Sequence, residues 1–464
     1  MASSSADRRL RSISDGLELF SCEFAEKADS KDPLRFFRNR FRFPKVPSTS
    51  TTMREGERCV YMCGNSLGLQ PVSTKRYIDD FLEKWSNEGV EGHFTQPRQW
   101  VDIDETVNGS MAKIVGAKTN EVVVMNSLTS NLHFLLVSFY RPTKQRYKIV
   151  IESKAFPSDI YAVKSQLRFH GYDENALVQL EPRRGETTLR VEDFERYLDQ
   201  NGSDVALVLV SGIQYYTGQC FELDRIVRAG HRNGCVVGAD LAHAVGNVEL
   251  KLHEWNVDFA VWCTYKYMNS GPGNIGGAFV HERHDDFVKS QTTRRLEGWW
   301  GHRPSDRFEM KPRFESARGV RGYQLSNPPV FCVEALRSSL DIFEAAGGMP
   351  ELRKKSEILT RYLERLLEMR LKENVSTLTP KEPHRRGCQL SLVFRGVNGK
   401  RVHETIAREG VICDFREPDV MRIAPAPLYN SFLDVYNFVR ILEKAVMEVR
   451  QESSVVGGGF RSRL

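Results

Sequence analysis

The sequence contains no Cys-x-x-Cys pair, and its nine cysteines are scattered and odd in number. That argues against a zinc ribbon and a disulfide framework and points to a reducing compartment, the cytosol. No apolar stretch approaches the ~20 residues of a membrane span. The N-terminus has no apolar signal core. Its serines and arginines resemble a transit peptide, but Asp7, Asp15 and Glu18 spoil that pattern. There is no run of five Lys or Arg. The pairs Arg183-Arg184, Arg294-Arg295 and Arg385-Arg386 have acids nearby, and a net charge of +6 is small for 464 residues. Nucleic acid is therefore not an expected partner, and neither is a membrane. No internal repeat is visible. With 41% hydrophobic and 27% charged residues, the chain can bury a core without disulfides or a structural metal.

From about Glu121 strand and helix patterns alternate. Expected strands are Glu121–Ser127, Tyr147–Ser153, Val205–Gly212, Cys235–Asp240, Phe259–Tyr265 and Gly276–His281. They are short, rich in Val, Ile and Ala, and not strictly alternating, as strands buried on both faces are. Helical patterns such as Val191–Gln200 and Leu223–Asn233 lie between them. The fold class is therefore α/β: a large domain with a mostly parallel sheet plus a smaller α+β domain. We expect an N-terminal arm and part of the small domain over residues 1–60, and the large domain over 61–328. The small domain follows over 329–451, with a disordered tail over 452–464. Within 329–451 the patterns give helices at Phe331–Ala346, Leu352–Lys372 and Phe432 to about Val449. Strands are expected near Cys388–Arg395, Val411–Phe415 and Met421–Ala424.

The strongest constellation is Asp240, His243 and Lys266. Asp240 ends one expected strand and Lys266 follows another, so both fall at the carboxyl edge of a parallel sheet, where ligands bind. Pyridoxal 5′-phosphate (PLP) requires this pair of residue types: a lysine to form an imine, and a carboxylate to keep the ring nitrogen protonated. The bland alternative is a capping Asp and a surface Lys, but Lys266 sits among Trp262, Tyr265 and Tyr267. Gly271–Gly276 matches the G-x-G-x-x-G dinucleotide pattern. That fingerprint needs a following helix, and the residues after Gly276 read as a strand. Asn126–Asn131 joins a strand to an apolar helix expected to begin near Leu132, and could hold phosphate at the helix N-terminus. Ordinary N-capping uses the same residues. His281 and His284 could ligate a metal, but no third ligand is evident, and no metal is expected. His133 reads as a core or near-core histidine.

At Ala155–Asp159, Asp240–Asn247 and Tyr265–Tyr267 the chain resembles the kynureninase family, PLP enzymes of the aspartate aminotransferase fold (fold type I). The similarity extends through Gly64–Gly68, Gly298–His302, Ser326–Pro329 and Arg422–Pro425, from about Tyr61 to the last helix, with the eukaryotic members as the nearest match. The resemblance implies that Lys266 carries the cofactor, that Asp240 meets the pyridine nitrogen, and that Tyr265 relays protons. Phe156 would stack on the ring, in a segment with Pro157, Ser158 and Asp159, and with His243 nearby. Leu128 and Thr129 would bind phosphate together with Ser211, Tyr265 and Trp299. Arg422 would hold the substrate α-carboxylate, while Ser66, His93 and Asn327 surround its aromatic end. The family forms homodimers, in which Trp299 and Asn327 would come from the other subunit. The implied reaction is hydrolysis of kynurenine or, preferentially, 3-hydroxykynurenine to alanine and the corresponding anthranilate, in tryptophan catabolism and NAD biosynthesis.

Rival readings are another fold type I enzyme, a cysteine desulfurase or aminotransferase, and a non-catalytic protein that keeps the fold. A desulfurase needs a cysteine on a mobile loop, whereas Cys235, Cys263 and Cys413 lie in expected strands.

Overall fold

Short runs of buried β-branched and small residues build the main sheet in a computed structural model that describes residues 5–14, 16–285 and 295–458. The sheet has seven strands in the order Val122–Val124, Gly276–Val280, Phe259–Cys263, Val236–Asp240, Val205–Ser211, Lys148–Glu152 and Leu177–Leu180. Gly276–Val280 runs antiparallel to both its neighbours. The other pairings described are parallel. The α/β class with a mostly parallel sheet is met. Leu177–Leu180 was not expected. As a half-buried edge strand it has neither the apolar run of an interior strand nor a clean alternation.

The sheet belongs to a unit formed by Ser73–Tyr215 and Cys220–Glu344. Helices Leu128–Phe139 and Pro157–Phe169 bury Leu132, Leu135, Leu136, Val163 and Leu167 against Ile149, Ile151, Leu207 and Val261 of the strands. Each such side chain contributes about 1.5–3 kcal/mol by leaving water. Helix Leu128–Phe139 begins four residues before the expected Leu132, because Ser127 is extended and serves as its N-cap. Leu128 and Thr129 therefore lie in its first turn.

The second unit comprises the chain up to Val72, Tyr216–Gln219 and the chain from Ala345 onward. A four-stranded antiparallel sheet runs Val375–Thr377, Leu390–Phe394, Val420–Ile423, Asp414–Arg416. Helices Gly348–Arg370, Gly399–Arg408 and Phe432–Gly458 share its core. The expected strand Val411–Phe415 splits at Cys413. Val411–Ile412 pairs with Val60–Tyr61, and Asp414–Arg416 joins the four-stranded sheet. N-terminal helix Cys22–Lys31, capped by Ser21, buries Phe24, Ala25 and Ala28 in the same core. Asp7 pairs with Arg361 and Arg365. Of the expected tail over 452–464, the helix continues through Gly458, and 459–464 lie outside the described residues. No described helix is long and apolar enough to cross a membrane.

Candidate active site

Because neighbouring strands run parallel, their carboxyl ends gather at one edge of the main sheet and deliver polar side chains there. Val236–Asp240 ends in Asp240, and Phe259–Cys263 leads into Tyr265 and Lys266. Val205–Ser211 ends in Ser211, which lies in register with Asp240. Lys148–Glu152 ends in Glu152 and leads, through Phe156, into helix Pro157–Phe169.

Lys266 Nζ lies 2.9 Å from Nε2 of the buried His243. Asp240 Oδ1 accepts from Ala242 N at 2.7 Å. Asp159 and Asp240 are both buried and share a hydrogen bond. Burial pushes both carboxyls up, with Asp240's charge pushing Asp159 further, to well above the ordinary carboxylate range. Lys266 pulls both back. Asp159 thus keeps the proton and donates it, leaving Asp240 as the carboxylate of the pair. Tyr265 is half-buried. Its hydroxyl meets the Cys263 thiol, and burial, then Cys263, raises its pKa.

Two helix N-termini approach one another at this edge. Thr129 Oγ1 and Ser158 Oγ are 3.0 Å apart, joining the first turns of Leu128–Phe139 and Pro157–Phe169. Gly276 packs against the first of these. A Cβ there would lie 3.1 Å from Leu128 N and 2.9 Å from Trp262 O, closer than the space allows. Free amides and positive dipole ends at such a place suit a phosphate.

The donor set fits PLP: an amine on Lys266, a buried carboxylate short of cations in Asp240, and an anion cradle at Leu128–Thr129. Phe156 is 45% exposed, its ring perpendicular to that of Tyr215 with centroids 5.3 Å apart. Fold and donor set together define a fold type I PLP enzyme. Solved structures carry the fold: the cysteine desulfurase of Thermococcus onnurineus NA1 aligns with TM-score 0.70 at 17% identity, covering 84% of this chain and 95% of that one. Closer relatives decide the family. The chain is 52% identical over 421 residues to the kynureninase of Myxococcus xanthus, covering 90% of this chain and 96% of that protein. It is 49% identical over 453 residues to that of Nematostella vectensis, covering 94% and 96%. A family signature described as the kynureninase C-terminal domain matches residues 352–442. The chain belongs to the kynureninase family. It is accordingly an enzyme with PLP as its cofactor.

The other expected residues have contacts of their own. Ser211 Oγ donates to Glu152, and Ser211 N lies 3.3 Å from the same carboxyl. Trp299 is 43% exposed, against Trp300 and Phe308, and Asn327 is exposed. His93 ends a short 3-10 turn, with Nδ1 3.0 Å from Val90 O and its ring edge-on to Trp100 at 5.1 Å. Ser66 and Arg422 belong to the other unit. There Arg422 is buried, its Nε donates to Asp414 at 2.6 Å, and its Nη2 meets Asp414 and, at 3.0 Å, Ser66 Oγ. Ser66 also donates to Asp414. Sequence reasoning missed Asp414 and Glu152. Glu152 carried the same signal as Asp240, an acid ending an apolar strand at the ligand edge.

The two histidines of the H-x-x-H segment make separate contacts. His284 Nε2 pairs with Asp258 at 2.8 Å. His281 gathers with Glu121 and His253, the third group that the sequence did not reveal. That cluster is closed by its own hydrogen bonds. Glu121 takes His253 Nδ1 and the amides of Lys118 and Glu282, and His281 Nδ1 accepts from Arg283 N while Nε2 donates to His253 O.

Proposed function

We propose that the enzyme hydrolyses L-kynurenine and, preferentially, 3-hydroxy-L-kynurenine to L-alanine and anthranilate or 3-hydroxyanthranilate. This places it in tryptophan catabolism and NAD biosynthesis. Membership of the kynureninase family carries the coarser statement, kynurenine cleavage. The observation that carries the chemistry is the Lys266 amine 2.9 Å from His243 Nε2, at the same sheet edge as the Asp159–Asp240 pair. When bound, PLP supplies an electron sink conjugated to the substrate's α-carbon.

The side chains then divide the work. Lys266 holds the cofactor, takes the α-proton and later returns one, with His243 Nε2 steadying Nζ between the two tasks. Asp240, kept ionised by Asp159's donated proton, holds a proton at the ring nitrogen. Phe156 stacks on the ring. The first-turn amides at Leu128 and Thr129, with Ser158, hold the phosphate, and Tyr265 and Trp299 are its further contacts. Tyr265, whose raised pKa keeps its hydroxyl protonated, donates to the leaving side as the carbon–carbon bond breaks. A positioned acid of this kind contributes about 10²–10⁴ in rate, so Tyr265→Phe should slow turnover without abolishing it. Arg422 binds the α-carboxylate, a task its planar fork suits. His93, Ser66 and Asn327 set the preference at the aromatic end. Exchanging His93 or Asn327 should change the ratio of kcat/KM for the two substrates; if neither does, this assignment fails.

We place the enzyme in the cytosol, on the support of nine free thiols, and infer a homodimer. The exposed ring cluster Phe94–Phe308–Trp299, with Trp85 and Val90 also exposed, supports a covered apolar face. In that dimer Trp299 and Asn327 serve the site of the second copy. A monomer in sedimentation would overturn it. The deciding assay is product analysis with 3-hydroxy-L-kynurenine. Equimolar L-alanine and 3-hydroxyanthranilate, absent with Lys266→Ala, is the expected result. A protein that takes up PLP but yields no alanine would move the function to another PLP reaction.

A further inference from the structure

Glu152 is 2% exposed and ends an interior strand. Its hydrogen-bond partners are neutral, Ser211 Oγ and Ser211 N. The charged groups around it are mostly of its own sign. The strand Val236–Asp240 brings Asp240, and helix Pro157–Phe169 brings Asp159. The strand Val205–Ser211 brings only Ser211, and Leu177–Leu180 has no titratable side chain. Lys266, with His243 on its amine, is the cation that acts on Asp159 and Asp240. A carboxyl buried among like charges is costly, and a glutamine could accept from Ser211 N and donate to Ser211 Oγ without that cost. Burial raises Glu152 to about 7, with Asp240 adding to it and the Ser211 hydrogen bonds opposing. The group therefore changes charge in the range where an enzyme works.

We propose that Glu152 is a positioning residue for the cofactor. It fixes Ser211 beside Asp240 and adds or removes one negative charge behind the Asp159–Asp240 pair, and so sets how firmly the ring nitrogen holds its proton. The inference rests on the PLP reading given above. The sign follows from electrostatics: ionised Glu152 favours the protonated ring, and neutral Glu152 weakens that hold.

The test uses the PLP-loaded enzyme without substrate, its cofactor absorbance and circular dichroism followed from about pH 5.5 to about 9. Wild type should show a step, at or below the cofactor-free value of about 7 because the ring's positive charge favours ionised Glu152, that Glu152→Gln lacks and Glu152→Asp restores. A step arising from the Lys266 linkage persists in Glu152→Gln, so the difference between the two traces is the readout. Ser211→Ala leaves the carboxyl but removes a hydrogen bond to its charged form, and should move the step to higher pH. Superimposed traces for wild type and Glu152→Gln would overturn the proposal. If Glu152→Gln does not fold, an unmoved midpoint in Ser211→Ala would do so. A wild-type protein with no cofactor band after PLP addition would bring down the PLP reading itself, and the proposal with it.

Discussion

Asp240 and Asp258 belong to the same unit, are 6% and 4% exposed, and flank strand Val236–Asp240 and its neighbour. Their surroundings are opposite. Asp258 is ringed by one cation, Arg283, and by donors: His231 and His284 at 2.8 Å and the amide of Val237 at 2.7 Å. These outweigh burial and hold its carboxyl below the usual range. Asp240 faces another acid, and burial pushes it up. A carboxylate that only braces the fold is saturated by the protein. One that serves a cationic ligand is left short, and the ligand completes it.

The sharpest way to break that contrast is to neutralise each acid in turn. Asp240→Asn should lower kcat of the PLP-loaded enzyme by about 10²–10⁴-fold. The same change should leave Tm of the cofactor-free protein at pH 7 unchanged or higher, because a strained charge has gone. A Tm loss equal to that of Asp258→Asn would collapse the comparison. Asp258→Asn should do the reverse, with kcat within about threefold and ~2 kcal/mol of stability lost by chemical denaturation, less than for a fully buried pair since its partners are partly exposed. Its depressed pKa means that this stability is fully present above the ordinary carboxylate value of about 4 and is lost as pH falls below it.

The opposite slope belongs to the raised acids. Glu152 and Asp159 bind protons more tightly in the fold than unfolded, so their contribution to the stability of the cofactor-free protein should fall as pH rises from about 4 toward 7. Glu152→Gln should flatten part of that loss in urea titrations, and an unchanged slope would count against the buried acid. The smallest effect is expected at Asp414, which holds Arg422 in place. Asp414→Asn should raise KM by about 10–10²-fold with little change in kcat, since one hydrogen bond to a charged group is worth about 1.5–3 kcal/mol.

Much of this is legible in the amino-acid sequence. Asp240 and Lys266 announced themselves because a buried parallel sheet reads as apolar runs, and the polar residue that ends each run must sit at the ligand edge. Other features needed distance. Leu177–Leu180 escaped because an edge strand is half-buried and carries a weak pattern. The start of helix Leu128–Phe139 was misjudged by a turn because a backbone angle, Ser127's extended conformation, sets it.

The sequence by itself determined the α/β class, the cofactor and the family, since these rest on local pattern and on short motifs that keep their order along the chain. Only the tertiary structure decided which charges meet. It turned Ser211 toward Glu152, gave Arg422 to Asp414, and divided His281 from His284. It also surrounded Asp258 with Arg283 and hydrogen-bond donors while setting Asp240 against Asp159. Those outcomes depend on contacts between residues far apart in sequence, and the energy of a charge is set by whatever folding places within a few ångströms of it.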